Sequence, residues 1–109
     1  MNTCVIFTTS AILLQVSYGL TKDDLIHDEV LKRAITRSLE IIGEATKQIP
    51  ASIKQEWSEI PWRNIAGMRD KLIHDYIGVN YSIVWDVVRN KIPEIKTKIT
   101  QIIENELNK

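Results

Sequence analysis

A second cysteine is missing from this sequence: Cys4 stands alone among 109 residues. No intrachain disulfide can form, which fits a reducing compartment. Cys4 itself reads as a packing thiol near the chain end rather than a nucleophile. Net charge is missing as well, because fourteen Lys and Arg balance fourteen Asp and Glu. A protein that grips nucleic acid over a broad face carries a basic excess, since each neutralised phosphate releases counterions. Any nucleic-acid role here must rest on a local site. Residues 4–16 are mostly apolar and contain no Lys or Arg. They lack the positive n-region of a signal peptide, and the run is too short to span a bilayer. The expectation is a cytoplasmic protein with no membrane partner. Strand-like alternation, internal repeats, low-complexity tracts and flexible linkers are also absent.

What is present is helical periodicity along one domain, long enough for one core. Residues 1–17 form an atypical N-terminal segment, taken as part of a first helix, and residues 18–109 form the main helical domain. Ile12, Leu13, Leu14 and Val16 end that first helix and Gly19 stops it. Thr21 and Asp24 have the capping-box spacing. His27, in a polar stretch, is a surface histidine. An amphipathic helix spans about Asp28 to Ile49, with Leu31, Ala34, Ile35, Leu39, Ile42 and Ala45 on one face. Pro50 ends it, and the interior Gly43 admits a close neighbour. Ser52 and Gln55 suggest a weaker capping box. A third main helix opens at Pro61 and continues through Trp62, Ile65, Met68, Leu72 and Tyr76 to a stop at Gly78. Asn80 caps a fourth that carries Ile83, Val84, Val87 and Val88. Pro93 kinks or restarts it before the stripe Ile95, Ile99, Ile102, Ile103 and Leu107. The fold class is all-α: an up-and-down bundle of four main helices with short extra helical turns.

Arg69-Asp70-Lys71-Leu72-Ile73-His74-Asp75-Tyr76 gathers a fixed cation, a group that titrates near neutrality and a phenol. Histidine takes and returns protons, and the arginine fork holds phosphate oxygens. Together they suit phosphodiester cleavage in RNA, whose 2′-hydroxyl supplies the nucleophile. Asp70 and Asp75 flank the pair without a ligand-spaced His or Cys, so no metal and no cofactor is expected. At about 100° per residue, Arg69 and His74 lie about 140° apart on a straight helix, while Tyr76 returns to within about 20° of Arg69. Either the helix is distorted near His74, or two copies meet across a two-fold axis and share one composite cleft. Gly67 would allow that approach. Glu44 is a candidate to orient His74; its plainer role is an ion-pair network with Arg37 and Lys47. Arg63 and Lys71 are candidate contacts to the RNA backbone. Trp62 and Trp85 are core or interface residues.

The run Ile60-Pro61-Trp62-Arg63-Asn64-Ile65-Ala66-Gly67-Met68-Arg69-Asp70-Lys71-Leu72-Ile73-His74-Asp75-Tyr76, then Gly78-Val79 and Ile83-Val84-Trp85, closely resembles the HepT-like branch of the HEPN superfamily. Leu39-Glu40-Ile41-Ile42-Gly43-Glu44-Ala45 resembles a second signature of that branch. The likeness covers roughly residues 18–107. It implies a HEPN-like bundle and a metal-independent RNase toxin of a toxin–antitoxin pair, acting as a homodimer. By this resemblance Arg69 and His74 are the catalytic pair; Asp70 and Glu44 are candidate supporting residues beside it. It also implies an MNT-type nucleotidyltransferase antitoxin that spends ATP to place AMP on Tyr76. The departure is residues 1–17, where the family has a longer charged helix. Two other classes stay open: a non-catalytic helical dimer that binds a nucleotidyltransferase or nucleotide, and a purely structural bundle.

Overall fold

A computed structural model of the chain describes residues 2–67 and 81–108. Every regular element among these residues is helical, and none is a strand. The order is α1 (Asn2–Ser17), α2 (Lys22–His27), α3 (Glu29–Lys47) and α4 (Ala51–Glu56). Then come α5 over 62–67, at the edge of the described residues, α6 (Tyr81–Asp86), a π-helical turn (Val87–Lys91) and α7 (Ile92–Leu107). No helix among the described residues is long and apolar enough to cross a membrane.

The N-terminal segment is helical without interruption over Asn2–Ser17. α1 buries Thr3, Ile6, Ser10, Leu13 and Ser17, spaced three and four apart on a single face. That face lies against both α3 and α7. Val5, Ile12 and Val16 on the other side are 41%, 50% and 44% exposed. With apolar residues outside and small hydroxyls inside, α1 has no contrast between its faces for periodicity to detect. Gly19, at φ 78°, turns the chain away, a conformation that costs glycine little. Cys4 is exposed, which corrects its reading as a packing thiol: the buried positions are its neighbours on the other face.

Local chemistry sets the next elements. The Asp24 amide donates to Thr21 Oγ1 at 3.2 Å and the Thr21 amide donates to Asp24 Oδ2 at 2.8 Å, so α2 opens on a complete capping box. Asp28 caps α3 by accepting from the Leu31 amide at 3.0 Å. α3 then buries Ile35, Leu39, Ile42, Gly43, Ala45 and Thr46, while Ala34, expected on that face, is exposed. The buried Thr46 hydroxyl donates to the Ile42 carbonyl at 2.7 Å. The proposed box at Ser52 and Gln55 does not form. Pro50 occupies the cap position of α4 without a side-chain hydrogen bond, so Ser52 falls inside the helix.

The core joins Ile6 and Leu13 of α1, Ile35, Leu39 and Ile42 of α3, Val88 of the π-helical turn, and Ile92, Ile99 and Ile102 of α7. Each is at most 1% exposed, and full burial of such a side chain contributes roughly 1.5–3 kcal/mol. α2 bridges α3 and α6 at one side.

Candidate functional site

Residues 68–80 carry Arg69, Asp70, His74 and Tyr76, and all four lie outside the described residues, as do Lys71, Gly78 and the proposed cap Asn80. Both chain segments that lead into this stretch are described. On the N-terminal side Trp62 is buried and its indole N–H donates to the Trp57 carbonyl at 3.0 Å. Pro61 stands at the start of α5, where its carbonyl accepts from the Ile65 amide at 3.1 Å. Ile65 points into the core, leaving Arg63, Asn64 and Gly67 exposed. A Cβ added at Gly67 would meet no described residue within 4 Å. On the C-terminal side Tyr81 is half-buried under the Lys32 ammonium, 4.9 Å from its ring centre. Val84 and Val88 sink into the core.

Between α5 and the α6–α7 arm lies an open cleft of about 950 Å³. Ile65, Ile83 and Val87 line its apolar part, and Arg63, Lys91 and Lys98 supply its cations. The carboxylates Glu59 and Glu94 also border it. None of the three cations forms an ion pair with another described residue. Gly67 lies on the cleft wall, two positions before Arg69 in the chain.

The π-helical turn helps to shape this wall. Pro93 has no N–H, and its ring would collide with the carbonyl four residues earlier in a regular helix. Here the preceding turn widens, and the Ile92 amide bonds back to the Val87 carbonyl, five residues away. The chain therefore passes Pro93 without a break, and Val87, Lys91 and Lys98 all border the same cleft. Sequence reasoning singled out Arg63 but missed Lys91 and Lys98. Their only local signal is the π-helical turn, a feature often found at functional sites.

Other expectations resolve more simply. Glu44 is exposed on α3, between the buried Gly43 and Ala45; its relation to His74 falls outside the described residues. Arg37 pairs with Glu40 at 3.3 Å. His27 is exposed, with Nδ1 2.8 Å from the Asp23 carbonyl, as a surface histidine should be. The Arg89 guanidinium sits 5.6 Å from the ring centre of the half-buried Trp85. No group of three or more His, Cys, Asp or Glu side chains among the described residues could hold a metal ion.

The described residues form an all-helical, HEPN-like bundle with a cation-bordered cleft. The chain belongs to the HepT-like ribonuclease family: the family model described as "Ribonuclease HepT-like" matches residues 8–102. It is 47% identical over 94 residues to a "Putative RNase" of Caldanaerobacter subterraneus subsp. tengcongensis, covering 86% of this chain and 84% of that one. It is 46% identical over 93 residues to a "Putative RNase" of Methanocaldococcus jannaschii, covering 85% and 80%. It is 46% identical over 80 residues to the "Probable ribonuclease HepT" of Thermococcus cleftensis, covering 73% of each chain. No solved structure matches the chain.

Proposed function

We propose that this protein is a metal-independent RNA endonuclease of the cytoplasm, the toxin of a toxin–antitoxin pair. The observation that carries the reading is the intact Arg69–His74–Tyr76 spacing inside a family match that runs on both sides of it. Two copies bring their arginines and histidines into one composite cleft. A histidine accepts the 2′-hydroxyl proton as that oxygen attacks phosphorus, and the bond from phosphorus to the 5′-oxygen breaks. A proton returns to the leaving oxygen, and Arg69 stabilises the charge that builds on the phosphate. The products carry a 2′,3′-cyclic phosphate and a 5′-hydroxyl. Control comes from an MNT-type nucleotidyltransferase: the Tyr76 hydroxyl attacks the α-phosphorus of ATP and pyrophosphate leaves. The added AMP places phosphate charge and bulk where RNA must bind.

The test is cleavage of single-stranded RNA in the presence of EDTA. Wild type is expected to cut, and His74→Ala to cut at least about a hundredfold more slowly, the usual scale of general acid–base catalysis. If both proteins are equally inert, the nuclease reading fails and the helical-dimer binding module replaces it. In the same experiment, co-production with the transferase should add one AMP to wild type and silence it. Tyr76→Phe should keep cutting and gain no mass; a silenced, AMP-bearing Phe variant would remove Tyr76 from this role.

A further inference from the structure

We propose that the cleft between α5 and the α6–α7 arm seats the single-stranded RNA that flanks the scissile bond, with Arg63, Lys91 and Lys98 as its phosphate contacts. This rests on the ribonuclease reading above and extends it to the substrate path. The three cations come from three separate elements: Arg63 from α5, Lys91 from the end of the π-helical turn and Lys98 from α7. They nevertheless border a single cleft. Across the whole chain positive and negative charges cancel. Among the described residues that line this cleft, three cations stand beside two carboxylates, and no ion pair with a described residue occupies the cations. A cation with no ion pair to a described residue is available to an external anion.

The apolar part of the cleft identifies the rest of the occupant. Ile83 is 51% exposed, and Ile65 and Val87 border the same space. An inorganic anion would leave that surface wet. A nucleotide strand matches both features, because its phosphates are charged and its base faces are not. At about 950 Å³ the cleft is at the upper end of the range for small-ligand pockets, so it can take a strand segment. Gly67 lines the wall, two residues from Arg69 in the chain.

The experiment uses the full chain carrying His74→Ala, so that RNA is bound without being cut, and fluorescence anisotropy of a labelled single-stranded RNA. The cleft variant adds Arg63→Gln, Lys91→Gln and Lys98→Gln. A charge-matched control adds Lys22→Gln, Arg33→Gln and Lys54→Gln, none of which borders the cleft. Circular dichroism confirms that both are folded. The cleft variant should bind at least about tenfold more weakly at 0.1 M salt. Its slope of log affinity against log salt should shrink by about 2, or about 0.7 for each lost phosphate contact. The control should keep both values. Equal losses in the two triple variants, or no loss in either, overturn the proposal. So does a cleft variant that changes oligomeric mass but binds RNA as before, which would make the cleft a contact between copies. If wild type cuts RNA while the cleft variant binds normally, the cleft fails and the nuclease stands. If wild type does not cut, the nuclease reading fails and takes this proposal with it.

Discussion

Thr3 and Ser10 are fully buried in α1, and neither hydroxyl finds a hydrogen-bond partner. An unmet buried hydroxyl costs roughly 1–3 kcal/mol, and little packing is lost when it is trimmed to a methyl. Ser10→Ala should therefore stabilise the protein by about 1 kcal/mol, raising Tm by about 4–8 °C. Thermal and urea unfolding measure it, and a loss of stability would mean that the Ser10 hydroxyl is satisfied in solution. Single positions were legible in the sequence where their chemistry is local. His27 was readable as a surface residue because it sits in a polar stretch, and Asp24 as a cap because its partner is three residues away. Lys91 and Lys98 were not readable as a pair with Arg63, because nothing in a linear chain brings position 63 beside position 98. Arg69, His74 and Tyr76 stood out as candidate chemistry by residue type, but helical spacing alone left open whether they converge.

Helix starts and stops followed the sequence closely wherever a side chain makes the cap. The Thr21–Asp24 box formed as expected, whereas Ser52–Gln55 yielded to Pro50, whose backbone sets the start of α4. α1 was the least legible element, since its buried face alternates hydroxyls with Ile6 and Leu13 while Val5, Ile12 and Val16 face outward. Pro93 presented two choices, a kink or a restart, and the structure shows a π-helical turn instead. A trace of it is visible in the buried stripe: Val84, Val88 and Ile92 step by four, then Ile95, Ile99 and Ile102 resume steps of three and four. Consecutive steps of four suit a turn wider than α. A proline inside a regular helix costs about 3 kcal/mol or more, but the wide turn moves the offending carbonyl away. Pro93→Ala should therefore gain less than about 1 kcal/mol, a small part of that penalty. Urea unfolding decides it: a gain near the full penalty would show that the ring remains strained.

The molecule as a whole poses the question that its parts cannot answer. An all-α bundle was legible because periodicity and prolines partition the chain, and the packing of α1, α3 and α7 fulfils it. The proposed composite assembly rests on spacing alone: on one straight helix Arg69 and His74 would diverge by about 140°, and a second copy would close the site. Gly67 is compatible with that arrangement, since no described residue fills the space beside it. Net charge is zero, so long-range repulsion does not oppose the meeting of two copies. If the site is composite, activity must follow mass action. Specific activity should be constant at high concentration and fall in proportion to the dimer fraction once the protein is diluted below its dissociation constant. Light scattering and RNA cleavage measured over one dilution series would give two curves with the same midpoint. Cleavage that keeps its full specific activity at monomer mass would place Arg69 and His74 within a single chain, and would require a distorted helix in place of the symmetric cleft.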